Sequence, residues 1–511
     1  MTVDILSTIF DLAGATEQYH LVTAAIEQIT PLLAQFITPT TPPMYTYKLR
    51  RAAISCAGRL AIQHAKTCSA LLLNTLLPAV CQAMEEASAV YVKAVVLGEG
   101  EETDTSGDDG ECGSTELLCA GIEVLVNVTC VPTYKKFLKT NQGNLSYLVL
   151  GCMQMTEEQH DTWGDDVNAF LADDSEESMS NTVRNLCIGL ISAMMEALPR
   201  STIVSLFTST SKRLQESQAM RMAPGGSNDK LWWRIAEGAL LGLGSVGNII
   251  QDENLHKSMA SVDINAIVQS VFAESLTQNN VPYLIGRTLW FAGQFSFALN
   301  AGTHTLVVSH SATALGGDFP MPVRILALRT AKSVCEDSGK HTDTLKQTLL
   351  PALYATLPAL LPVATEELLL LVLDLLALAI PIDAQLAAKY EDKLCPMVVA
   401  VWIKFANDPV LCTYISDVYL SLSQTPCLPN LIRRSLSPIV SVLSMAEGQV
   451  LPGMQASAVD FLTTNVRACS TPIPDVLVST ALPALMSFLN RTEVSALLGN
   501  GSGVRPGVLG V

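Results

Sequence analysis

In the second half of the chain, apolar positions recur as helix-length phrases at a near-constant interval. PVRILALRTAKSV from Pro322, TEELLLLVLDLLALA from Thr365, PVLCTYISDVYLSLS from Pro409 and PGMQASAVDFLTTNV from Pro452 begin 43, 44 and 43 residues apart. A second series is interleaved with the first: LLPALYATLPALL around Pro351, KLCPMVVAVWIKFA around Pro396, SLSPIVSVLSMA around Pro438 and ALPALMSFLN around Pro483, at 45, 42 and 45 residues. Each unit therefore holds two helices. Proline suits a helix start, where its fixed φ costs nothing and its missing N–H had no partner; inside a helix it kinks the axis. A unit of about 40 to 47 residues built of two antiparallel helices is the HEAT/armadillo signature. No pair buries its apolar face alone, so the units stack as an all-α solenoid.

The pattern extends backwards less regularly, through PYLIGRTLWFAGQFS at Pro282, LWWRIAEGALLGLGSV at Leu231 and ELLCAGIEVLVNV at Glu116, to helices before Ala89. It predicts roughly ten repeats and almost no strand. The expected organisation is HEAT-like helices over 1–98 and 117–156, HEAT repeats over 181–490 and an irregular tail over 491–511. Residues 99–116 read as a disordered acidic insertion, 157–180 as an acidic loop and 215–230 as a further loop. The tail GNGSGVRPGVLGV cannot continue a helix, so the chain is expected to stop in mid-array.

Charge singles out two of these segments. The chain carries 48 acids and 31 bases, a net charge of −17. EGEETDTSGDDGECGSTE, from Glu99 to Glu116, holds eight carboxylates and no base; EEQHDTWGDDVNAFLADDSEE, from Glu157 to Glu177, holds nine and no base. Together they account for the whole imbalance. Such charge repels phosphate backbones and anionic lipid, which argues against direct nucleic-acid binding and favours basic proteins as partners. Trp163 and Phe170, set inside the second run, supply anchors, either onto the run's own scaffold or onto a partner.

Recognisable chemistry is sparse. The thirteen cysteines contain no CxxC pair, so they read as buried thiols of a reducing, intracellular compartment, and MTVDILSTIF lacks the features of a signal peptide. The apolar run Leu368 to Ile382 carries Asp374 at its middle and is shorter than the ~20 residues a bilayer needs, which predicts a buried helix and no membrane insertion. GLGSVG at Gly242 matches GxGxxG, but LWWRIAEGALL before it has helical spacing where a dinucleotide site needs a strand; close helix packing is the better account. The seven histidines are dispersed, neither acidic run has calcium-loop spacing, and no GxSxG, P-loop or kinase signature occurs. The expectation is a protein that is not an enzyme and uses no cofactor or metal.

The segment WGDDVNAFLADDSEESMSNTVR, from Trp163 to Arg184, resembles the tryptophan, acidic, phenylalanine and arginine phrase in the middle of karyopherin-β nuclear transport receptors. LWWRIAEGALLGLGSV, LIGRTLWFAGQFS, PVRILALRTAKSVCE, KLCPMVVAVWIKFANDPV and AVDFLTTNVR follow in the family's order and spacing. The resemblance implies a HEAT superhelix that shuttles between cytoplasm and nucleus through the pores. It also implies basic cargo such as core histones, nucleoporin-repeat binding and regulation by the GTP form of Ran. In this reading Asp165, Asp166, Asp173, Asp174, Glu176 and Glu177 meet basic groups while Trp163 and Phe170 fix the loop. Val167 stands where the family's phrase usually has proline, and family members are about twice this long, with a principal Ran surface in their amino-terminal repeats. A static HEAT scaffold in a multi-protein assembly is the alternative, its acid runs merely solvating.

Overall fold

Pro409 opens its helix and Pro396 lies inside another. The computed structural model describes residues 19–497 apart from 40–44, 67–68, 101–111, 175–181, 225–230, 253–254, 256–258, 260–262, 277–280, 317, 338, 340, 362–363, 447–448 and 452. These described residues are overwhelmingly helical and contain no strand. The chain divides into two compact units, Met1–Thr303 with Phe319–Leu326, and His304–Asp318 with Ala327–Val511.

The first unit opens with α1 (Tyr19–Ile37), α2 (Tyr47–Gln63) and α3 (Leu77–Tyr91), the last prolonged by a π-helical turn, Val92–Val96. Next come α4 (Ser114–Thr129), α5 (Lys135–Cys152), α6 (Glu157–Asp165) and α7 (Val167–Asp174). The unit continues through α8 (Val183–Ala197), α9 (Pro199–Met222), α10 (Trp232–Gly244), α11 (Gly247–Asp252), α12 (Ile264–Leu276) and α13 (Pro282–Gln294). Two rows emerge from the packing. α2, α4, α8, α10 and α13 lie side by side in one, and α3, α5 and α9 in the other. α6 and α7 belong to neither row and pack on each other.

The chain passes between units within α14 (Ala301–Gly316) and α15 (Met321–Glu336). The second unit continues with α16 (Leu350–Leu360), α17 (Glu366–Ile382), α18 (Ala384–Lys389) and α19 (Glu391–Phe405). It ends with α20 (Pro409–Ser423), α21 (Leu428–Ser444), α22 (Met454–Ala468) and α23 (Asp475–Leu497). Here α17, α20 and α22 form one row and α16, α19, α21 and α23 the other. Of the first proline series, Pro322 falls at the start of α15 and Pro409 opens α20; Thr365 caps α17 by accepting the Leu368 N–H at 3.3 Å, and Pro452 lies outside the described residues. In the second series Pro396, Pro438 and Pro483 are internal to α19, α21 and α23, while Pro351 falls at the start of α16. The apolar run of α17 is a core helix. Leu368, Leu369, Val372, Leu373, Leu375 and Leu376 are buried, and Asp374 pairs with Lys332 Nζ at 2.7 Å. No single helix among the described residues is long and apolar enough to cross a membrane.

Three segments differ from the expectation of loops. Residues 157–174 form α6 and α7, because Trp163, Val167, Phe170 and Leu171 recur at helical spacing and the acids cap and complement the helix starts. α9 runs on to Met222, so 215–222 is helical; Arg213 and Glu216 pair one turn apart at 3.0 Å, and Ser217 Oγ donates to Trp232 O at 2.7 Å. α23 likewise continues past 490 to Leu497. Of the first acidic run, 101–111 lie outside the described residues, while Glu116 belongs to α4 and accepts the Gly113 N–H at 2.7 Å. The remainder of the tail, 498–511, also lies outside them.

Candidate functional site

The second acidic run is built into the first unit by its own side chains. Thr156 and Gln159 form a reciprocal cap: Gln159 N donates to Thr156 Oγ1 at 3.1 Å, and Thr156 N donates to Gln159 Oε1 at 3.2 Å. Asp166 starts α7 by accepting the N–H groups of Asn168 and Ala169 at 2.9 and 3.3 Å. Trp163 and Phe170, 1% and 0% exposed, meet edge to face with centroids 5.2 Å apart. The two rings therefore hold the run to its own scaffold. Trp163 Nε1 donates to Asp173 Oδ2 at 3.0 Å, and the Arg184 guanidinium lies 5.5 Å from the indole centroid.

Beneath the helix pair lies a buried charge network. Arg184, near the start of α8, forks onto both carboxylate oxygens of Glu237 in α10 and donates to Met153 O at 2.9 Å. Arg287 of α13 donates through Nε to the same Glu237 at 2.9 Å and through Nη2 to Asp174. The side chains of Arg184, Glu237, Arg287 and Asp174 are each 3% exposed or less. Burial pulls the Arg287 guanidinium down, but the charges of Asp174 and Glu237 outweigh it and hold its pKa above the ordinary value. Removing one partner of such a group leaves an uncompensated buried charge, at a cost of ~3–5 kcal/mol.

The small residues of α10 make this approach possible. A Cβ added to Gly238, next to Glu237, would sit 2.8 Å from Gln154 N and 2.9 Å from Met153 C, so only glycine lets α10 reach the strap that Arg184 holds. A Cβ on Gly244 would come 2.3 Å from the Trp290 ring. GLGSVG is thus a packing device on a helix, with no strand before it. Arg234, also from α10, ties two distant segments together: it pairs with Glu157 and donates to Val96 O, a carbonyl left open at the end of its π turn.

The predicted site residues divide accordingly. Asp165 and Asp166 are exposed, and Asp166 caps α7. Asp173 and Asp174, expected to meet basic groups of a partner, are turned inward: Asp173 accepts from Trp163 Nε1, and Asp174 supplies counter-charge to the buried Arg287 of α13. Glu176 and Glu177 lie outside the described residues. What the outer surface presents is Glu158, Asp161 and Asp165, all exposed and spaced i, i+3 and i+7 on one face of α6. Of these three only Asp165 was expected from the sequence; the i, i+3, i+7 spacing is the signal that marks Glu158 and Asp161. The residues beneath the stripe, Tyr283 and Trp233, come from helices more than sixty residues downstream and no local signal marks them.

Among the described residues, no group of three or more His, Cys, Asp or Glu side chains is arranged to hold a metal. Several thiols are buried, Cys56, Cys152, Cys187, Cys335 and Cys395 among them, and burial pushes Cys152 and Cys335 up to about 12.

Rows of paired helices, with an acid-rich helix pair clamped across one row, define an α-solenoid of the HEAT class. Residues 143–399, half of the chain, match the family described as importin-9 central HEAT repeats, and the chain belongs to that family. Importin-9 of Drosophila melanogaster is 24% identical over 498 residues, covering 95% of this chain and 48% of the relative. The chain thus spans about half the length of that curated relative. The fold is similar to that of Lph2, described as a bidirectional nuclear transport receptor in S. cerevisiae, with a TM-score of 0.58 at 11% identity over 96% of this chain and 56% of the other. It is also similar to Kap121p bound to Pho4p, with a TM-score of 0.54 at 14% identity over 96% and 46%.

Proposed function

We propose that the chain serves as part of a nuclear transport receptor that carries basic proteins, core histones among them, between cytoplasm and nucleus. Loading is governed by the GTP form of Ran, and passage by contact with nucleoporin repeats at the pore. Membership of the importin-9 family supports the transport role, and one neighbour in fold, Kap121p, was solved with another protein bound. The observation that carries the cargo class is the exposed carboxylate stripe of α6: Glu158 and Asp165 have no basic partner among the described residues, and Asp161 meets only His160, at 3.2 Å. Exposed acids left without an internal counter-charge attract a lysine-rich surface over a Debye length of ~8 Å and speed its association.

The test is binding of the purified chain to a core histone dimer and, separately, to Ran loaded with GTP, each at low and physiological salt. Histone binding that weakens steeply with salt is the expected result. A folded, monodisperse chain that binds neither would sink the reading.

A further inference from the structure

The α6 stripe has a floor. Tyr283, near the start of α13, is 6% exposed, and its ring is surrounded by His160 at 5.6 Å, Trp233 at 6.3 Å and Trp163 at 6.4 Å between centroids. Its hydroxyl nevertheless has no hydrogen-bond partner among the described residues. It points at α6, where a Cβ added to Gly164 would lie 3.7 Å from it. Burial pushes the Tyr283 phenol up, and the carboxylates of Asp165 and Asp161 raise it further, so both negative charges bear on the same oxygen. The ring is buried but its hydroxyl reaches the surface, and a phenol oxygen open to the outside beside two exposed acids and three aromatic rings has the composition of a cation seat.

We infer that Asp161, Asp165 and the Tyr283 hydroxyl form a seat for one cationic side chain, a lysine or arginine of a basic polypeptide. The two carboxylates accept its N–H groups, the phenol oxygen accepts another, and the rings of His160, Trp233 and Tyr283 wall its alkyl stem. This rests on the reading that the chain takes basic proteins, and it places one anchor point of that recognition on the outer face of α6.

The experiment measures fluorescence anisotropy of labelled octa-lysine and octa-arginine peptides titrated with the whole chain. Tyr283→Phe removes the hydroxyl and keeps the ring, and Asp165→Asn changes an exposed side chain, so both variants retain the fold. Asp161→Asn with Asp165→Asn is compared with a charge-matched control, Asp417→Asn with Asp460→Asn, exposed acids of the second unit. The paired α6 change is expected to weaken binding about tenfold, Asp165→Asn alone and Tyr283→Phe about threefold each, and the control less than about twofold. Equal losses from the two double variants, or a Tyr283→Phe chain that binds like the unaltered one, overturn the seat while leaving basic-partner binding intact. An unaltered chain with no affinity for either peptide overturns the seat and the proposed function together.

Discussion

Trp163 donates its indole N–H to Asp173 Oδ2 at 3.0 Å, across the turn between α6 and α7. An acid that charge alone would assign to a partner is thereby the acceptor that closes a helical hairpin. Trp163→Phe keeps most of the buried ring and deletes the donor, and is expected to lower unfolding stability by about 1 kcal/mol in urea denaturation. A variant as stable as the parent would show that the pair contributes nothing.

Asp165 and Asp174 sit in the same run and should behave oppositely. Asp174→Asn strips counter-charge from the buried Arg287 guanidinium and is expected to cost ~3–5 kcal/mol. Asp165→Asn, on the exposed face of α6, should stay within about 0.5 kcal/mol. Differential scanning calorimetry separates the two. It also warns that neutralising the whole run at once would unfold the site before testing any contact.

Gly244→Ala places a methyl 2.3 Å from the Trp290 ring. The ring is buried between packed helices, so overpacking of ~1–3 kcal/mol is expected. A thermal midpoint equal to the parent's would mean that α10 and α13 separate more easily than their packing implies.

His304 sets an acid limit on the second unit. It is buried with Nδ1 unpartnered, its ring centroid is 4.7 Å from that of His341, and Asp337 is the nearby acid. Burial pulls its pKa below 6.5, and the neighbouring His341 pulls it further. The unfolded chain therefore binds a proton at higher pH than the folded one, and stability falls as pH drops below about 6.5. His304→Phe, which keeps a ring and cannot titrate, should flatten that decline in melting curves between pH 7.5 and 5.5. An unchanged slope would place the acid sensitivity elsewhere.

The two proline series made the helix rows of the second unit legible, because proline at a helix start and proline inside a helix leave different traces at a fixed period. The fate of the acidic run was not legible from its charge. Its helical spacing of Trp163, Val167, Phe170 and Leu171 was the overlooked signal, outweighed by a composition that reads as solvated loop. Nor does any local pattern show that Arg287, over a hundred residues from Asp174, supplies the counter-charge; that pairing exists only once α13 lies beside α10.

Arg234 grips both Val96 O and Glu157, one at the threshold of the first acidic run and the other the opening residue of the second. Segments some sixty residues apart in sequence are thus rooted at a single guanidinium. Counterions drawn to the exposed acids Glu158, Asp161 and Asp165 of α6 are released when a positively charged body docks there, and that release supplies an entropic drive to association.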